Sequence, residues 1–155
     1  MRSVAPHSAG SAASRMGPAD LPDGLIERAQ WLHCSGISQA ISATACEAVM
    51  AAIARARAAG TRVSYDLNFR PSLWPAAQAL QVAQATLAQC ELFFPSIDEV
   101  AALTGLSDPH SIIAWAHGQG ARMVALKLGA QGSLLSTGEG TAQLIAPHPV
   151  QALDA

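Results

Sequence analysis

From Trp31 onward, short apolar runs alternate with longer stretches of helical periodicity. The run WLHC (Trp31 to Cys34) predicts a first strand, and the apolar positions between Ser42 and Ala59 recur at helical spacing. Gly60 follows that helix in the position of a left-handed C-terminal cap. The segment TRVSYDLN then predicts a second strand, which Pro71 prevents from continuing. Such alternation is typical of a parallel sheet whose strands are joined by helices.

The second half of the chain repeats this alternation and ends in a different pattern. Two segments that flank the polar turn TGEG predict an antiparallel hairpin appended to the parallel sheet. The nearly unbroken apolar run from Met123 to Gly129 predicts a fourth strand with cover on both faces. The other predicted elements are a helix from Pro75 to about Ala88, a strand from Leu92 to Ser96, a helix from Ser96 through Leu103, a helix from about Pro109 to His117, hairpin strands from Gly132 to Ser136 and from Thr141 to Ala146, and the start of a last strand in VQALDA.

The residues before the first strand differ in kind from the rest of the chain. They are rich in Ala, Ser, Gly and Pro, and they show only a short helical stretch near LPDGLIERA. The sequence therefore predicts an irregular lead-in over residues 1–24 and one α/β domain over residues 25–155. A chain of 155 residues that is 50% hydrophobic can bury a single core of ordinary size.

Charge and hydropathy narrow the classes of partner. The formal net charge is -2 and the basic residues are scattered, which argues against nucleic acid and acidic membrane surfaces as partners. No apolar run reaches the length of a bilayer span, and the segment MRSVAPHSAGSAASRM lacks the apolar core of a secretion signal. We therefore expect a cytoplasmic protein.

The cysteines and histidines do not form the pattern of a metal site. Cys34, Cys46 and Cys90 are an odd number, are widely spaced and lie in apolar contexts, so we expect buried free thiols. The five histidines have no ligand spacing with one another or with the cysteines, and the sequence predicts no zinc site.

The stretch YDLNFRPSLW (Tyr65 to Trp74) closes the second strand with polar groups at alternate positions. Period-two geometry puts Asp66, Asn68 and Arg70 on one face at the carboxyl end of the strand, where an open α/β sheet binds ligands. A guanidinium there suits an anionic small molecule, since it grips a carboxylate or phosphate with two parallel hydrogen bonds. The alternative is that Asp-Leu-Asn before a proline only ends the strand and starts a turn.

Two further patterns follow later strand ends. Ser96 and Glu99 fit a capping box at a helix N-terminus, where a phosphate is also welcome. The segment from Lys127 to Gly132 contains two glycines that let a backbone approach a ligand, although most such pairs are turns. The chain has neither G-x-G-x-x-G after a strand nor G-x-x-x-x-G-K-[ST], so a dinucleotide-binding Rossmann protein and a P-loop kinase are not supported.

Three ordered blocks, YDLNFRPSLW, FPSIDEVAALTG and VALKLGAQGSLL, together resemble the ribokinase-like (PfkB) family of carbohydrate kinases. AGSAASRM, DLP and AQWLHCSGI are similar to what the 2-keto-3-deoxygluconate kinase branch of that family carries before these blocks. The resemblance implies a ribokinase-like α/β fold, mostly a parallel sheet flanked by helices, with a C-terminal antiparallel hairpin and truncation at both ends. It also implies a kinase that uses ATP and Mg²⁺ to phosphorylate a sugar acid such as 2-keto-3-deoxygluconate.

The resemblance assigns roles to the residues of these blocks. Arg70 and Asn68 face the sugar acid, and together with Phe69 they border the nucleotide. Asp66 fixes the loop by accepting hydrogen bonds from nearby amides. Glu99 helps to organise water and Mg²⁺ near the phosphates, within a motif in which serine replaces the usual asparagine. The remaining nucleotide-binding residues that the resemblance implies are Ser96, Lys127, Leu128, Gly129, Ala130, Gln131 and Gly132.

Both ends of the chain depart from the family pattern. Asp154 resembles the first aspartate of the terminal signature Asp-x-x-Gly-Ala-Gly-Asp, and the sequence stops one residue later. The glycine-rich anion hole and the final aspartate, which acts as base, would lie beyond Ala155, so we expect this chain alone to be inactive and assign it no catalytic residue. Pro6, His7 and Ser8 stand where the branch carries aromatic residues and a substrate arginine.

The resemblance makes residues 1–24 a remnant of the lid and substrate region. Two other functions stay open: a fragment of a fructokinase-like hexose kinase, because relatives share the Asp-x-Asn-x-Arg block, and a non-catalytic remnant that binds a nucleotide or another protein. The expected ligands are ATP and a small sugar acid. An exposed sheet edge also favours self-association of the chain.

Overall fold

The computed structural model describes residues 10–138, 140 and 142–148. Its strands are β1 Trp31–Ser35, β2 Arg62–Asp66, β3 Leu92–Phe94, β4 Met123–Lys127, β5 Ser133–Ser136 and β6 Ala142–Ile145. They form one sheet in the order β1-β2-β3-β4-β5-β6. The first four strands are parallel and the last two are antiparallel additions, so the predicted mixed α/β sheet with its hairpin is confirmed. The predicted last strand in VQALDA lies outside the described residues.

Helices connect the parallel strands, except for the first helix, which precedes β1. They are α1 Leu25–Arg28, α2 Gly36–Ala40, α3 Ala43–Ala59, α4 Ala76–Leu87, α5 Ile97–Thr104 and α6 Pro109–Gly118. The long helix α3 has the ends that the sequence predicts, because Ser42 accepts a hydrogen bond from the amide of Ala45 at 3.0 Å and Gly60 has a φ of 78°. In the described part of the chain, no helix combines the length and the apolarity that a bilayer span requires.

The helices cover one face of the sheet. Tyr65 and Phe93 are fully buried on that face, and the ring of Trp115 in α6 lies 6.4 Å from that of Phe93. Strand order follows chain order, and right-handed crossovers that step in one direction put every connecting helix on the same side. Met123 and Ala125 point to the other face and stay partly exposed. The predicted cover of β4 on both faces is therefore wrong for the described residues.

Two glycines are required where backbones approach each other closely. A Cβ on Gly36, the first residue of α2, would collide with the carbonyl oxygen of Leu67. A Cβ on Gly132 would collide with the carbonyl oxygen of Ile145, and Gly132 also has a φ of 95°. The first contact ties the start of α2 to the loop after β2, and the second ties the start of β5 to β6.

The three cysteines are free thiols, as predicted. Cys34 and Cys90 are buried, whereas Cys46 is only half-buried. Burial raises the pKa of the Cys34 thiol to about 11 and that of Cys90 to about 12. These two thiols therefore stay protonated and unreactive near neutral pH.

Candidate functional site

The carboxyl ends of β2, β3 and β4 meet at one edge of the sheet. β2 ends at Asp66 and β4 ends at Lys127, while Ser96 follows β3 and pairs with Lys127 in an isolated parallel bridge. The amide of Lys127 donates a hydrogen bond to the carbonyl of Pro95 at 2.8 Å. These contacts bring together the three segments in which the sequence predicted site residues.

The loop after β2 does not continue the strand geometry. Asn68 has a φ of 42°, a left-handed conformation that asparagine tolerates better than most residues. Its amide nitrogen donates to Ser35 Oγ at 3.4 Å. The prediction that period-two geometry carries Asp66, Asn68 and Arg70 along one strand face is therefore wrong, because the strand stops at Asp66. Burial still alternates, since the intervening Leu67 is buried and Arg70 is exposed.

The capping box predicted at the start of α5 is confirmed. The Ser96 amide donates to Glu99 Oε2 at 2.9 Å, and the Glu99 amide donates to Ser96 Oγ at 3.3 Å. The Glu99 side chain is only 13% exposed, so its carboxylate is held at the head of the helix. Its charge also favours the positive end of the helix dipole.

A cavity of about 330 Å³ opens between the loop after β2 and the head of α5. Phe69 and Arg70 line one side, and Ser96 and Glu99 line the other. The structure thus brings four of the predicted residues to one space. Asp98 lines the same cavity and was missed from the sequence, although its place in the first turn of the predicted capping box was a usable signal.

Arg70 carries the free positive charge of this cavity. Its side chain is exposed, and it makes no hydrogen bond or ion pair with any described residue. A guanidinium without a protein partner keeps all of its donors for a ligand. Because these donors match a carboxylate or phosphate in pairs, the Arg70 side of the cavity suits an anionic group, whereas Asp98 and Glu99 make the opposite side negative.

Lys127 connects Asp66 to Glu99. Its Nζ lies 2.9 Å from Asp66 Oδ1 and 3.9 Å from Glu99 Oε2. The sequence predicted that Asp66 would bond nearby amides, whereas its hydrogen-bond partner among the described residues is the Lys127 ammonium. Successive side chains of a strand alternate between the two faces, so Asp66, next to the buried Tyr65, points to the same open face of the sheet as Lys127.

The loop after β4 turns the chain into the hairpin. The amide of Leu128 donates to the carbonyl of Gly132 at 2.8 Å, and the residues between them form a short 3-10 turn, Gly129–Gln131. Gly129 has a φ of 59° and open space beside its Cα, whereas Gly132 is closed off by Ile145. Of these two glycines, Gly129 is the one with room for a ligand. The loop does not line the cavity beside Arg70.

Glu99 suits a metal ion that keeps its own water molecules better than a metal ion held by several protein side chains. Its Oε2 accepts the Ser96 amide, so Oε1 is the oxygen left for water. Among the described residues, no group of three His, Cys, Asp or Glu side chains could hold a metal ion. Mg²⁺ usually keeps several waters and is bound through one or two carboxylates together with substrate phosphates. The residues present therefore fit a metal that arrives with a nucleotide.

A larger cavity, of about 440 Å³, lies against the 3-10 segments that precede α1. Arg15 and Asp20 line it. Arg15 donates to the Gly10 carbonyl at 2.7 Å, and Asp20 accepts from the Gly17 amide at 2.8 Å. Both charges are thus engaged within their own segment. The smaller cavity beside Arg70 offers the unpaired charge and is the candidate site.

Comparison with known proteins gives the site a family context. A family model described as pfkB family carbohydrate kinase matches residues 2–155. The chain is similar to the 2-dehydro-3-deoxygluconokinase of Bacillus subtilis (strain 168), with 36% identity over 129 residues, which cover 83% of this chain and 40% of that protein.

Two solved structures share the fold. The crystal structure of a PfkB protein from Polaromonas sp. JS666 matches with a TM-score of 0.83 and 36% identity, covering 91% of this chain and 48% of that one. The aminoimidazole riboside kinase from Salmonella enterica, complexed with aminoimidazole riboside and an ATP analog, matches with a TM-score of 0.81 and 27% identity, covering 94% and 48%. The chain spans less than half the length of each of these three proteins.

Proposed function

Because the chain belongs to the pfkB family of carbohydrate kinases, we propose that it is part of an ATP-dependent kinase that phosphorylates 2-keto-3-deoxygluconate. The similarity to a 2-dehydro-3-deoxygluconokinase supports this substrate class. The structural observation that carries the proposal is the guanidinium of Arg70, which has no partner among the described residues and borders one cavity with Ser96 and Glu99.

Arg70 binds the anionic part of the substrate in this proposal. Its planar guanidinium stays charged throughout the physiological pH range and holds two oxygens of a carboxylate or phosphate at once. Asn68, fixed by its contact with Ser35, lies beside it and contributes an amide to the same ligand. A sugar acid carries the carboxylate that this pair of residues requires.

The nucleotide lies along the ends of β3 and β4. Phe69, Ser96 and the loop from Lys127 to Gly132 contact it, and Lys127 and the head of α5 favour its phosphate charge. Glu99 orders water around the Mg²⁺ that accompanies the phosphates. When bound, Mg²⁺ neutralises charge that develops on the transferred phosphoryl group.

The 155-residue chain alone is expected to bind these ligands without turnover. The resemblance assigns the base and the glycine-rich anion hole to the segment that follows Asp154. Asp154, like Pro6, His7 and Ser8, lies outside the described residues. A positioned base and an anion hole each contribute orders of magnitude to a rate, so binding and turnover are separate questions for this chain.

Isothermal titration of the whole 155-residue chain tests the proposed site. The titrants are ATP with MgCl₂, 2-keto-3-deoxygluconate, and fructose as the substrate of the hexose kinase alternative. R70M should weaken binding of the sugar acid at least about tenfold, because a bidentate charge-assisted contact is lost. R122M removes an exposed arginine beside the amino end of β4 and should change nothing. Equal affinity of R70M and the unsubstituted chain for the sugar acid would refute the contact.

The outer edge of β1 supports a proposal of self-association. Within the described sheet, β1 pairs with β2 alone, so its other edge presents unpaired backbone groups. Such edges recruit further strands unless a charge or a proline blocks them. A second copy of the chain is the partner that we propose for this edge.

A further inference from the structure

Asp66 and Lys127 form an ion pair across a strand that lies between them. β3 separates β2 from β4, so the backbones of the two residues are about 9.6 Å apart, two strand spacings. Their side chains nevertheless meet at 2.9 Å. The pair therefore spans the end of β3 and holds the ammonium beside Glu99, at the head of the helix that follows this strand.

We propose that Asp66 is a positioning residue of the nucleotide site, whose carboxylate fixes the Lys127 ammonium beside Glu99 to receive a phosphate oxygen. This inference rests on the proposed function and extends it, because Asp66 has no part in the nucleotide contacts that the family resemblance implies. Asp66 acts through Lys127 and touches neither substrate.

The Lys127 ammonium has donors to spare. It carries three N–H groups, of which Asp66 takes one at 2.9 Å. Glu99 Oε2, at 3.9 Å, is near enough to attract the ammonium but too far for a hydrogen bond. The Lys127 side chain is 43% exposed, so a ligand reaches the remaining donors from solvent.

A lysine at a strand end needs an anchor to be an effective phosphate ligand. Its four-carbon stem has many rotamers, and fixing them during binding lowers affinity. Asp66 restricts these rotamers before the ligand arrives, which is preorganisation. Among the described residues, Lys127 is the sole hydrogen-bond and ion-pair partner of the Asp66 carboxylate, so this carboxylate has no competing role.

A second ion pair of the chain, between Arg57 and Glu91, has the contacts expected of a pair that stabilises the fold. Glu91 pairs with Arg57 at 2.7 Å through one oxygen and accepts the Val63 amide at 2.7 Å through the other. These contacts join α3, β2 and the start of β3 at the amino ends of the strands, away from the candidate site. The Asp66 carboxylate accepts from no backbone amide in the described part of the chain and is 28% exposed, so its ion pair contributes little to stability.

Lys127 is the only lysine of the chain, and this makes the test direct. Labelling with trinitrobenzenesulfonate, followed by mass spectrometry of the peptide that contains Lys127, reports on the one side-chain amine of the chain. D66N should label several-fold faster than the unsubstituted chain, because the Lys127 amine is then no longer held against a carboxylate and is freer to meet the reagent. Saturating ATP should protect Lys127 from labelling in the unsubstituted chain.

Calorimetric titration with ATP and MgCl₂ provides the second measurement. D66N should weaken ATP binding about tenfold, the scale of one charge-assisted hydrogen bond. D66E should restore much of this affinity. D66N should add nothing to the effect of K127M, since both act through the same ammonium. R57M breaks the remote ion pair and should alter neither the labelling rate nor the ATP affinity.

The outcomes separate this inference from the proposed function. If the unsubstituted chain binds ATP and D66N binds it equally well, Asp66 is no positioning residue, while the nucleotide site stands. If D66N weakens ATP binding as much in the K127M background, the effect does not pass through Lys127 and the inference fails. If the unsubstituted chain does not bind ATP, the proposed nucleotide site is wrong and the role of Asp66 falls with it.

Discussion

Gly36 lies against the carbonyl oxygen of Leu67, and this contact sets the path of the loop that carries Arg70. Gly36 begins α2 directly after β1, and Leu67 is the first residue after β2. A side chain at position 36 would displace a backbone carbonyl, which cannot move as a flexible side chain does. The junction between β1 and α2 thereby fixes the loop whose next residues, Phe69 and Arg70, line the cavity.

We expect G36A to destabilise the chain by about 1–3 kcal/mol, the usual effect of overpacking, and to weaken anion binding at Arg70. G118A is the matched control, because a Cβ on Gly118 would meet nothing within 4 Å. Urea denaturation measures the free energy of unfolding of both variants. Equal unfolding free energies for G36A and G118A would contradict the role of this contact.

The capping box of α5 links helix stability to ligand binding. S96A should lower the free energy of unfolding by about 1 kcal/mol and should also weaken ATP binding, because Ser96 lines the cavity. D108A removes the cap of α6, where Asp108 accepts the Ser111 amide at 2.8 Å. It should have a similar effect on stability and none on ATP binding. Parallel losses of ATP affinity in the two variants would show that Ser96 has no specific role.

The buried thiols predict a loss of stability in alkali. Burial raises the pKa of Cys34 to about 11 and that of Cys90 to about 12, from an ordinary value of 9.0. Above the ordinary value the unfolded chain releases protons that the folded chain retains, so the free energy of unfolding falls as pH rises through this window.

Urea titrations at about pH 8 and about pH 10, under reducing conditions, measure this fall. The double variant C34A/C90A should show a shallower dependence on pH than the unsubstituted chain. The pH dependence of C46A should differ less from that of the unsubstituted chain, because Cys46 is only half-buried. A pH profile that C34A/C90A leaves unchanged would assign the alkaline instability to other groups.

Self-association through β1 should depend on concentration. Sedimentation velocity should show a monomer at low concentration and a larger species at high concentration. H33K places a charge on this exposed strand and should shift the balance toward the monomer. A chain that stays monomeric at every concentration would remove the proposal.

Turnover is the remaining prediction for the chain as a kinase. A coupled assay of ADP release with ATP, MgCl₂ and 2-keto-3-deoxygluconate should give no rate above background. The physical reason is that the proposal assigns the base and the anion hole to a segment that follows Asp154, outside the residues assayed. A rate in the ordinary enzyme range of about 1–1000 per second would show that these 155 residues suffice for chemistry.

Local signals predicted much of this fold, and contacts between distant segments account for the rest. Each helix end depends on contacts within a few residues of it, so the sequence was enough to predict it. Examples are the two ends of α3, at Ser42 and at Gly60, and the start of α5, at Ser96 and Glu99. The pairing of Asp66 with Lys127 joins residues 61 positions apart, and no local pattern encodes it.

The same distinction applies to the errors. The early end of β2 depends on the left-handed Asn68, which strand periodicity does not reveal. One face of β4 is open because the strand order follows the chain order, which puts the connecting helices on the other face. The apolar run from Met123 to Gly129 is compatible with cover on both faces but does not require it. Gly132 fits a ligand loop in the sequence but is explained by Ile145 in the hairpin.

The agreement between strand order and chain order bears on how the protein is made. Each strand from β2 to β6 pairs with the strand synthesised just before it, so no pairing in the described sheet skips a strand. The sheet can therefore extend in step with the ribosome, with each emerging strand finding its partner already in place.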